Sequence, residues 1–285
     1  AAKFIHVAPY VYVYKDRKAY EGDLFGHALR REHGFPSEEI DGPELRAADP
    51  ALSDSVGFGV SYGNHGYISS PSGYTAALAD HFLATGGRFE EGEVADITPN
   101  EAGGEVALAD GRRLAGDKIV LSAGVWSRAF AEKLGHRTPM VAERGHHLML
   151  HGASARPPYP TMVAAGKFVL TPMDDGLRAA GTAEFGPIDA PPSDAALSLL
   201  RRQLKRVYPG LTWEREETWM GRRPSTVDSL PMIGASPKAP HVIFAFGAQH
   251  IGLTLGARTG RMVAEIAAGR SSNVDLSPFR PDRFD

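Results

Sequence analysis

The chain has no cysteine among its 285 residues. Disulfides, thiol nucleophiles and zinc–thiolate sites are therefore excluded, while the compartment stays open. There is no long uninterrupted apolar run, so no membrane-spanning helix is expected. Neither charge is in excess. Lys and Arg number 31 against 34 Asp and Glu, a net charge of -3. That balance lacks both the basic surplus expected of a nucleic-acid binder and the acidic bias of a disordered tail. No secretory leader pattern opens the chain, and it starts Ala1-Ala2-Lys3-Phe4 without Met, which reads as a processed, trimmed or fragmentary chain. Several catalytic signatures are also missing. Ser225 and Ser229 have no G-x-S-x-G elbow, and no H-E-x-x-H or helical carboxylate–histidine cluster offers a metal site. The dinucleotide fingerprint G-x-G-x-x-G is absent: Gly57-Phe58-Gly59 comes nearest, with Tyr62 in its last position. No repeat and no low-complexity segment is found.

What is present is ordinary globular composition, 42% hydrophobic and 23% charged, with length enough for two domains. Tyr10 to Tyr14 is aromatic and β-branched, hence a strand. Asp16 is placed to cap a helix running to about His33, where Gly34 and Pro36 end it. Pro43 to Ala48 suits one further helical turn, and Val56 to Tyr62 is strand-like. Pro71 sits where a first-turn proline belongs, and Tyr74, Leu78, Phe82 and Leu83 then mark an amphipathic helix. Asp110-Gly111 signals a hairpin. Lys118 to Leu121 is a buried-type strand running into Ser122-Ala123-Gly124 and a helix. Arg144 to His151 reads as a strand, Lys167 to Met173 pairs with Leu177 to Glu184, and Ser193 caps a helix carrying Leu197, Leu200, Leu204 and Val207. Strands in meanders with helices interleaved predict an α+β domain threaded through an α/β one.

The most informative stretch runs from Trp219 to Arg261. A polar loop containing Arg222-Arg223-Pro224 leads to a short buried strand, Val242 to Phe246, a glycine turn and a helix. Gly252, Gly256, Gly260 and Ala264 lie four apart, a side-chain-poor ridge that a backbone or a flat ligand could approach. Helix packing alone accounts for that ridge slightly better than a ligand does. Arginine suits bidentate carboxylate binding, so Arg223, and Arg144 in Glu143-Arg144-Gly145-His146-His147, are candidates for holding an acidic substrate. The competing reading of Arg223 is a solvated surface arginine or a structural ion pair to Asp228. His146 and His147 are adjacent on a strand and point to opposite faces, which speaks against a metal. Gln249 and His250, in the turn, could bind a ligand or cap the helix. On the residues alone, the chain reads as an α/β protein that binds a small anionic ligand near its last helix.

Six segments resemble, in order, those of the FAD-dependent amine oxidoreductases of the D-amino-acid oxidase superfamily. Bacterial D-amino-acid dehydrogenases look closest, with glycine and sarcosine oxidases further off. Ile119 to Ser127 resembles the family's strand–Ala-Gly-x-Trp–helix, and Glu143 to Leu150 its E-R-G-Y-H-L strand. Gly181 to Phe185 matches the G-T-x-E-F turn, and Trp219 to Gly234 the W-x-G-x-R-P-S-T-x-D-S-L-P-x-I-G loop. Phe246 to Gly260 matches the F-G-H-x-H-x-G-L-T-L helix start, and Pro278 to Phe284 the tail. Two features depart from the pattern. The family's opening strand–G-x-G-x-x-G–helix unit is missing, and Ala248 stands where the family has a histidine, as His146 stands for a frequent tyrosine.

The resemblance implies an FAD-binding-type parallel sheet, incomplete here, interleaved with an antiparallel-sheet substrate domain. Residues 1–70 and 144–220 would form the substrate domain, and 71–143 and 221–285 the remainder of the FAD-binding domain. It implies FAD as cofactor and a small D-amino or imino acid as substrate. The amine would be oxidised by hydride transfer to the flavin, giving an imino acid, then a 2-oxo acid and ammonia. A quinone or oxygen would accept the electrons, and a missing N-terminal segment or partner chain would complete the cofactor site. A cytoplasmic location, peripheral to the inner membrane in many relatives, follows from the same source. Arg223 would clamp the substrate carboxylate with Arg144 as second donor, and His250 would hydrogen-bond in the site. Gly247, Ala248, Gln249, Ile251, Gly252, Leu253 and Thr254 would present backbone N–H groups to the flavin's pyrimidine edge. Val94 would meet the adenine through its backbone, and Ala123, Gly124 and Trp126 would line the cofactor's centre. The alternative is a fragment or subunit without its own FAD site, non-catalytic as isolated.

Overall fold

The computed structural model describes residues 1–285. The chain divides into two compact units, 1–87 with 145–184 and 191–221, and 88–144 with 185–190 and 222–285. The fold is mixed α/β, with one eight-stranded sheet, two three-stranded sheets and a two-stranded ribbon.

The eight-stranded sheet, most of whose residues belong to the first unit, runs in the order Arg215–Thr226, Met140–His151, Gly176–Phe185, Phe168–Met173, Thr161–Val163, Tyr10–Tyr14, Phe58–Tyr62, Glu38–Asp41. Thr161–Val163 runs parallel to Tyr10–Tyr14, whereas Phe168–Met173 pairs antiparallel with Gly176–Phe185 across Asp174-Asp175. The period-two pattern of Tyr10–Tyr14 divides its side chains between two cores. Val11 and Val13 join Leu148, Leu150, Phe168, Leu170 and Leu177 beneath the helix Asp194–Val207, which contributes Leu197, Leu200, Leu204 and Val207. Ser193 caps that helix through the N–H of Ala196. Tyr14 goes the other way, packing with Tyr20, Phe58 and Tyr62.

The helix expected from Asp16 to His33 is two helices, Arg17–Glu21 and Leu24–Glu32, broken at Gly22-Asp23. Asp16 does cap the first, accepting from Ala19 N at 2.8 Å. The break has a use: Asp23 accepts from the Tyr14 hydroxyl at 3.0 Å, and that hydroxyl sits 2.7 Å from Nε2 of the buried His27, whose Nδ1 meets the Tyr62 hydroxyl at 2.6 Å. The helix Pro71–Ala84 forms as its proline and the Ser70 cap dictate, but none of its residues is buried. Leu78, Phe82 and Leu83 stay about half exposed, so the amphipathic face expected there is covered only in part, Phe4 lying against its first turn at Gly73.

Two polar groups of this unit fix measurable stability. The Tyr208 hydroxyl donates to Asp49 Oδ2 at 2.6 Å, and both residues are buried. Burial and the neighbouring carboxylate hold that phenol strongly protonated. Tyr208→Phe strips this donor from a buried carboxylate and should cost ~2 kcal/mol in urea unfolding; a loss under ~0.5 kcal/mol would refute the role. His147 stacks on Trp219 with ring centroids 5.1 Å apart and accepts at Nδ1 from Arg178 Nε at 3.2 Å. Burial, then the Arg178 charge, lowers its pKa from 6.5 to about 4. The unfolded chain therefore binds this proton more readily than the folded one, so the stability is fully present above pH 6.5 and is lost as the pH falls towards 4. After allowance for solvent screening this amounts to ~1–2 kcal/mol. His147→Gln should flatten the slope of unfolding free energy between those pH values, and an unchanged slope would contradict the assignment.

The second unit holds a three-stranded sheet, Met232–Ala235, Val242–Phe246, Ile119–Leu121, the first pair antiparallel and the second parallel. Val242, Phe244 and Phe246 face one core with Leu121, Ala131 and Met140. Ile243 faces the other with Met262 and Val263 of the helix Gly252–Ala267. An antiparallel sheet of Val94–Asn100, Gly103–Leu108 and Arg113–Gly116 completes the unit.

Candidate functional site

The second unit contains the glycine turn. After Phe246 the chain reverses at Gly247, φ +83, and Gln249, φ +48. Left-handed backbone is rare for a side-chain-bearing residue, and here the Gln249 amide donates to the Thr226 carbonyl at 3.2 Å. Ser225 and Ala248 form a single β-bridge beside it. The helix Gly252–Ala267 then begins with Ile251 at its N-cap and no side-chain cap, so no side chain claims its first N–H groups. His250 does not cap it.

The glycine ridge is not a packing device within the chain. A Cβ added at Gly256 or Gly260 would meet nothing within 4 Å. Both glycines border a hollow of about 360 Å³ whose walls include Ser122, Gly124, Gly247, Ala248 and Gly252. Glycines and small side chains, with Val120, Phe246 and Val263 completing an apolar wall, lie beside uncapped N–H groups and suit a flat group that carries negative charge. Ala248 lines the hollow, and its Cβ would lie 3.5 Å from one built on Gly252.

Arg223 lies inside the strand Arg215–Thr226, not in a loop after it. Its partner is not Asp228, which Arg283 grips through Nε at 2.7 Å and Nη2 at 3.1 Å. Arg283 Nη2 also donates to the Leu230 carbonyl at 2.7 Å, and this tail contact fixes the polar turn. Arg223 Nη1 instead lies 3.3 Å from Glu143 Oε1. The strand Met140–His151 starts four residues before Arg144 and is buried at every position from Ala142 to His146, so it brings Glu143 into the site. The Glu143 side chain is 8% exposed and has two further partners. Ser225 Oγ donates to its Oε2 at 2.9 Å, and His250 Nε2 lies 2.6 Å from its Oε1. Glu143, Ser225 and Thr226 were legible only as neighbours of the arginines: Glu143 and Ser225 acquire a place beside Arg223 and His250, and Thr226 beneath the Gln249 amide, only in the folded chain.

The other candidates are more scattered. Arg144 is buried with its guanidinium against Gly186, where a Cβ would approach Nη2 to 3.3 Å. Trp126 is exposed and lines a second hollow, of about 460 Å³, with Val125, Arg128 and Val141. Ala123, Ile251, Leu253 and Thr254 are exposed. Val94, opening its strand, lines neither hollow. In the first unit, His146 is buried and its Nε2 is 2.7 Å from Glu184 Oε2.

The family model described as FAD dependent oxidoreductase (DAO) matches residues 5–266. The chain belongs to that family. It is 32% identical to a D-amino-acid oxidase of Bradyrhizobium diazoefficiens over 96% of its own length and 66% of the relative's. It is 29% identical to a D-amino acid dehydrogenase of Paramagnetospirillum magneticum, with the same coverages. The chain thus spans about two thirds of the length of these curated relatives. Its fold matches a crystal structure of glycine oxidase from Geobacillus kaustophilus with TM-score 0.85 at 22% identity, covering 99% of this chain and 76% of that one. No helix is long and apolar enough to cross a membrane.

Proposed function

We propose that the chain provides the substrate-binding and part of the cofactor-binding structure of an FAD-dependent oxidoreductase. The reaction is oxidation of the amine of a D-amino or imino acid to an imino acid, which water converts to a 2-oxo acid and ammonia. One observation carries this reading: Arg223 is held by a buried carboxylate in the same unit as a side-chain-poor hollow and an uncapped helix start. The similarity to a D-amino-acid oxidase and a D-amino acid dehydrogenase supports the substrate class. When bound, FAD supplies the hydride acceptor. The chain's own part is to bind and orient. Arg223 takes the substrate carboxylate, with Arg144 as a second donor, and His250 bonds within the site. Gly247, Ala248 and Gln249 shape the turn at the hollow and Gly252, Leu253 and Thr254 offer backbone N–H groups there, whereas the N–H of Ile251 is taken by the Ala248 carbonyl at 3.1 Å; Ala123, Gly124, Trp126 and Val94 lie along the rest of the cofactor's path. Residues 71–143 and 221–285 belong to the cofactor side, and 1–70 and 144–220 to the substrate side. The electron acceptor is a quinone or oxygen, and the location is cytoplasmic or peripheral to the membrane.

The test is release of 2-oxo acid and ammonia from a panel of D-amino, L-amino and imino acids. The protein tested also carries the further third present in the relatives. Release from D-amino or imino acids alone is expected, and release from none of the panel overturns the reading.

A second reading is that the chain as it stands does not turn over and contributes only surface to a larger assembly. The partly uncovered helix Pro71–Ala84 favours it. A stoichiometric FAD complex formed by this chain alone would count against it.

A further inference from the structure

The tail of the second unit is anchored by residues that do not line the hollow. Phe279 packs with Ile233, Ile243 and Met262. Pro281 lies so close to Gly234 that a Cβ built there would meet its Cδ at 3.0 Å. Asp285 accepts from the Arg137 N–H at 2.7 Å and pairs with Lys238 Nζ at 2.9 Å. Between these anchors the Arg283 side chain, 10% exposed, reaches into the polar turn.

Arg283 holds more of that turn than one carboxylate. Its Nε and Nη2 fork onto both oxygens of Asp228, and Asp228 Oδ1 also accepts from the Leu230 N–H at 3.1 Å. The Leu230 carbonyl takes Arg283 Nη2 at 2.7 Å on one lone pair and the Thr226 hydroxyl at 2.8 Å on the other. The Thr226 carbonyl in turn receives the Ser229 N–H and the Gln249 side-chain amide, each at 3.2 Å. Ser229, φ +63, and Gln249, φ +48, both carry side chains on left-handed backbone. Such backbone persists only where its neighbours over-determine it, and here the shared neighbour is Thr226. The glycine turn rests on the same residue: a Cβ at Gly247 would meet Thr226 Cγ2 at 3.0 Å. Gln249 shortly precedes the helix start at Gly252, so its backbone sets where the first helix N–H groups point.

We infer that Arg283 is a positioning residue for the cofactor. It lines no part of the hollow. Through Asp228, Leu230 and Thr226 it holds Gln249 in its left-handed conformation, and so aims the N–H groups of Gly252, Leu253 and Thr254 at the hollow. The inference rests on the reading of that hollow as part of the flavin site. The fork on Asp228 is the strong, direction-setting kind of hydrogen bond, and every later link is a hydrogen bond within the same unit. A clasp that served stability alone would also weaken the fold when cut, but it would not act through Gln249.

The test uses the protein that carries the further third present in the relatives, with and without flavin. Amide exchange is read without flavin at Ile251 and Leu255, whose N–H groups are bonded to the Ala248 and Ile251 carbonyls at 3.1 and 2.9 Å. Arg283→Met should speed both on the order of tenfold and leave Met262, further along the helix, unchanged. It should also raise the Kd for flavin about tenfold. Arg280→Met, which removes an exposed pair with Asp282, should change neither readout. Arg283→Lys keeps the charge without the fork and should fall between; it carries the same readouts if Arg283→Met does not fold. In a Gln249→Gly background the left-handed backbone needs no tether, so adding Arg283→Met should move the flavin Kd by no more than about twofold. Exchange at Ile251 and Leu255 that stays at the wild-type rate, a lowered Tm with an unchanged flavin Kd, or an undiminished effect in Gln249→Gly would overturn the inference and leave the flavin site intact. If wild type binds no flavin, the reading of the hollow fails and the inference falls with it.

Discussion

Arg223→Leu should raise the KM for a D-amino acid by ~10²-fold or more, because a charge-assisted hydrogen bond is worth ~1.5–3 kcal/mol and a bidentate clamp makes two. The structure says why this arginine, among 31 Lys and Arg, is the one to test. Its Nη1 is held by Glu143, so the guanidinium is oriented before any ligand arrives, and an oriented donor loses little entropy on binding. The substitution should not unfold the protein. Glu143 keeps the Ser225 hydroxyl and His250 as partners, and Arg223 itself is only partly buried, so the stability loss should stay near ~1 kcal/mol. Arg223→Lys should recover part of the affinity, since an ammonium preserves the charge but not the planar fork. A KM unchanged in Arg223→Leu, with the protein folded, would remove Arg223 from the site.

The second large effect is expected at Gly256, where two substitutions should act in opposite directions. A Cβ at this position enters open space, so Gly256→Ala replaces a poor helix former by the best one without a clash. It should stabilise the protein by ~0.5–1 kcal/mol, a rise in Tm of a few degrees. Gly256→Trp places an indole in the 360 Å³ hollow and should abolish flavin retention while leaving the far-ultraviolet circular dichroism unchanged. The two variants separate the explanations of the glycine ridge. If the ridge served helix packing, Gly256→Ala would destabilise. If the hollow held no cofactor, Gly256→Trp would retain flavin at the wild-type ratio.

How much of this could be read from the sequence depended on the range of the interactions. The strand Val242–Phe246 and the helix Asp194–Val207 were legible because their signals are local: apolar spacing, a Ser193 cap, glycine and proline stops. The broken helix at Gly22-Asp23 was not legible, because Asp23 is claimed by Tyr14 from another element. The length of the strand carrying Arg223 was misjudged for a related reason. Pro224 reads as a breaker, yet a proline is tolerated where its missing N–H is not needed by the ladder. Family motifs singled out Arg223, Arg144 and the glycine turn as candidates. Glu143 was quoted in the motif without a role, since only the register of two distant strands brings it to Arg223, Ser225 and His250. The helix Pro71–Ala84 was found from its cap and proline, but its incomplete cover is a fact about neighbours that no local signal carries.

The central claim, that an Arg223-centred site delivers a D-amino acid to FAD, is tested most directly by anaerobic reduction. D-alanine and L-alanine are added in turn to the flavin-loaded protein without oxygen, and the visible flavin absorbance is followed. The account predicts bleaching by D-alanine, slowed in Arg223→Leu at low substrate concentration, and none by L-alanine. Flavin that bleaches with L-alanine alone, or with D-alanine at the same rate in Arg223→Leu, would contradict it.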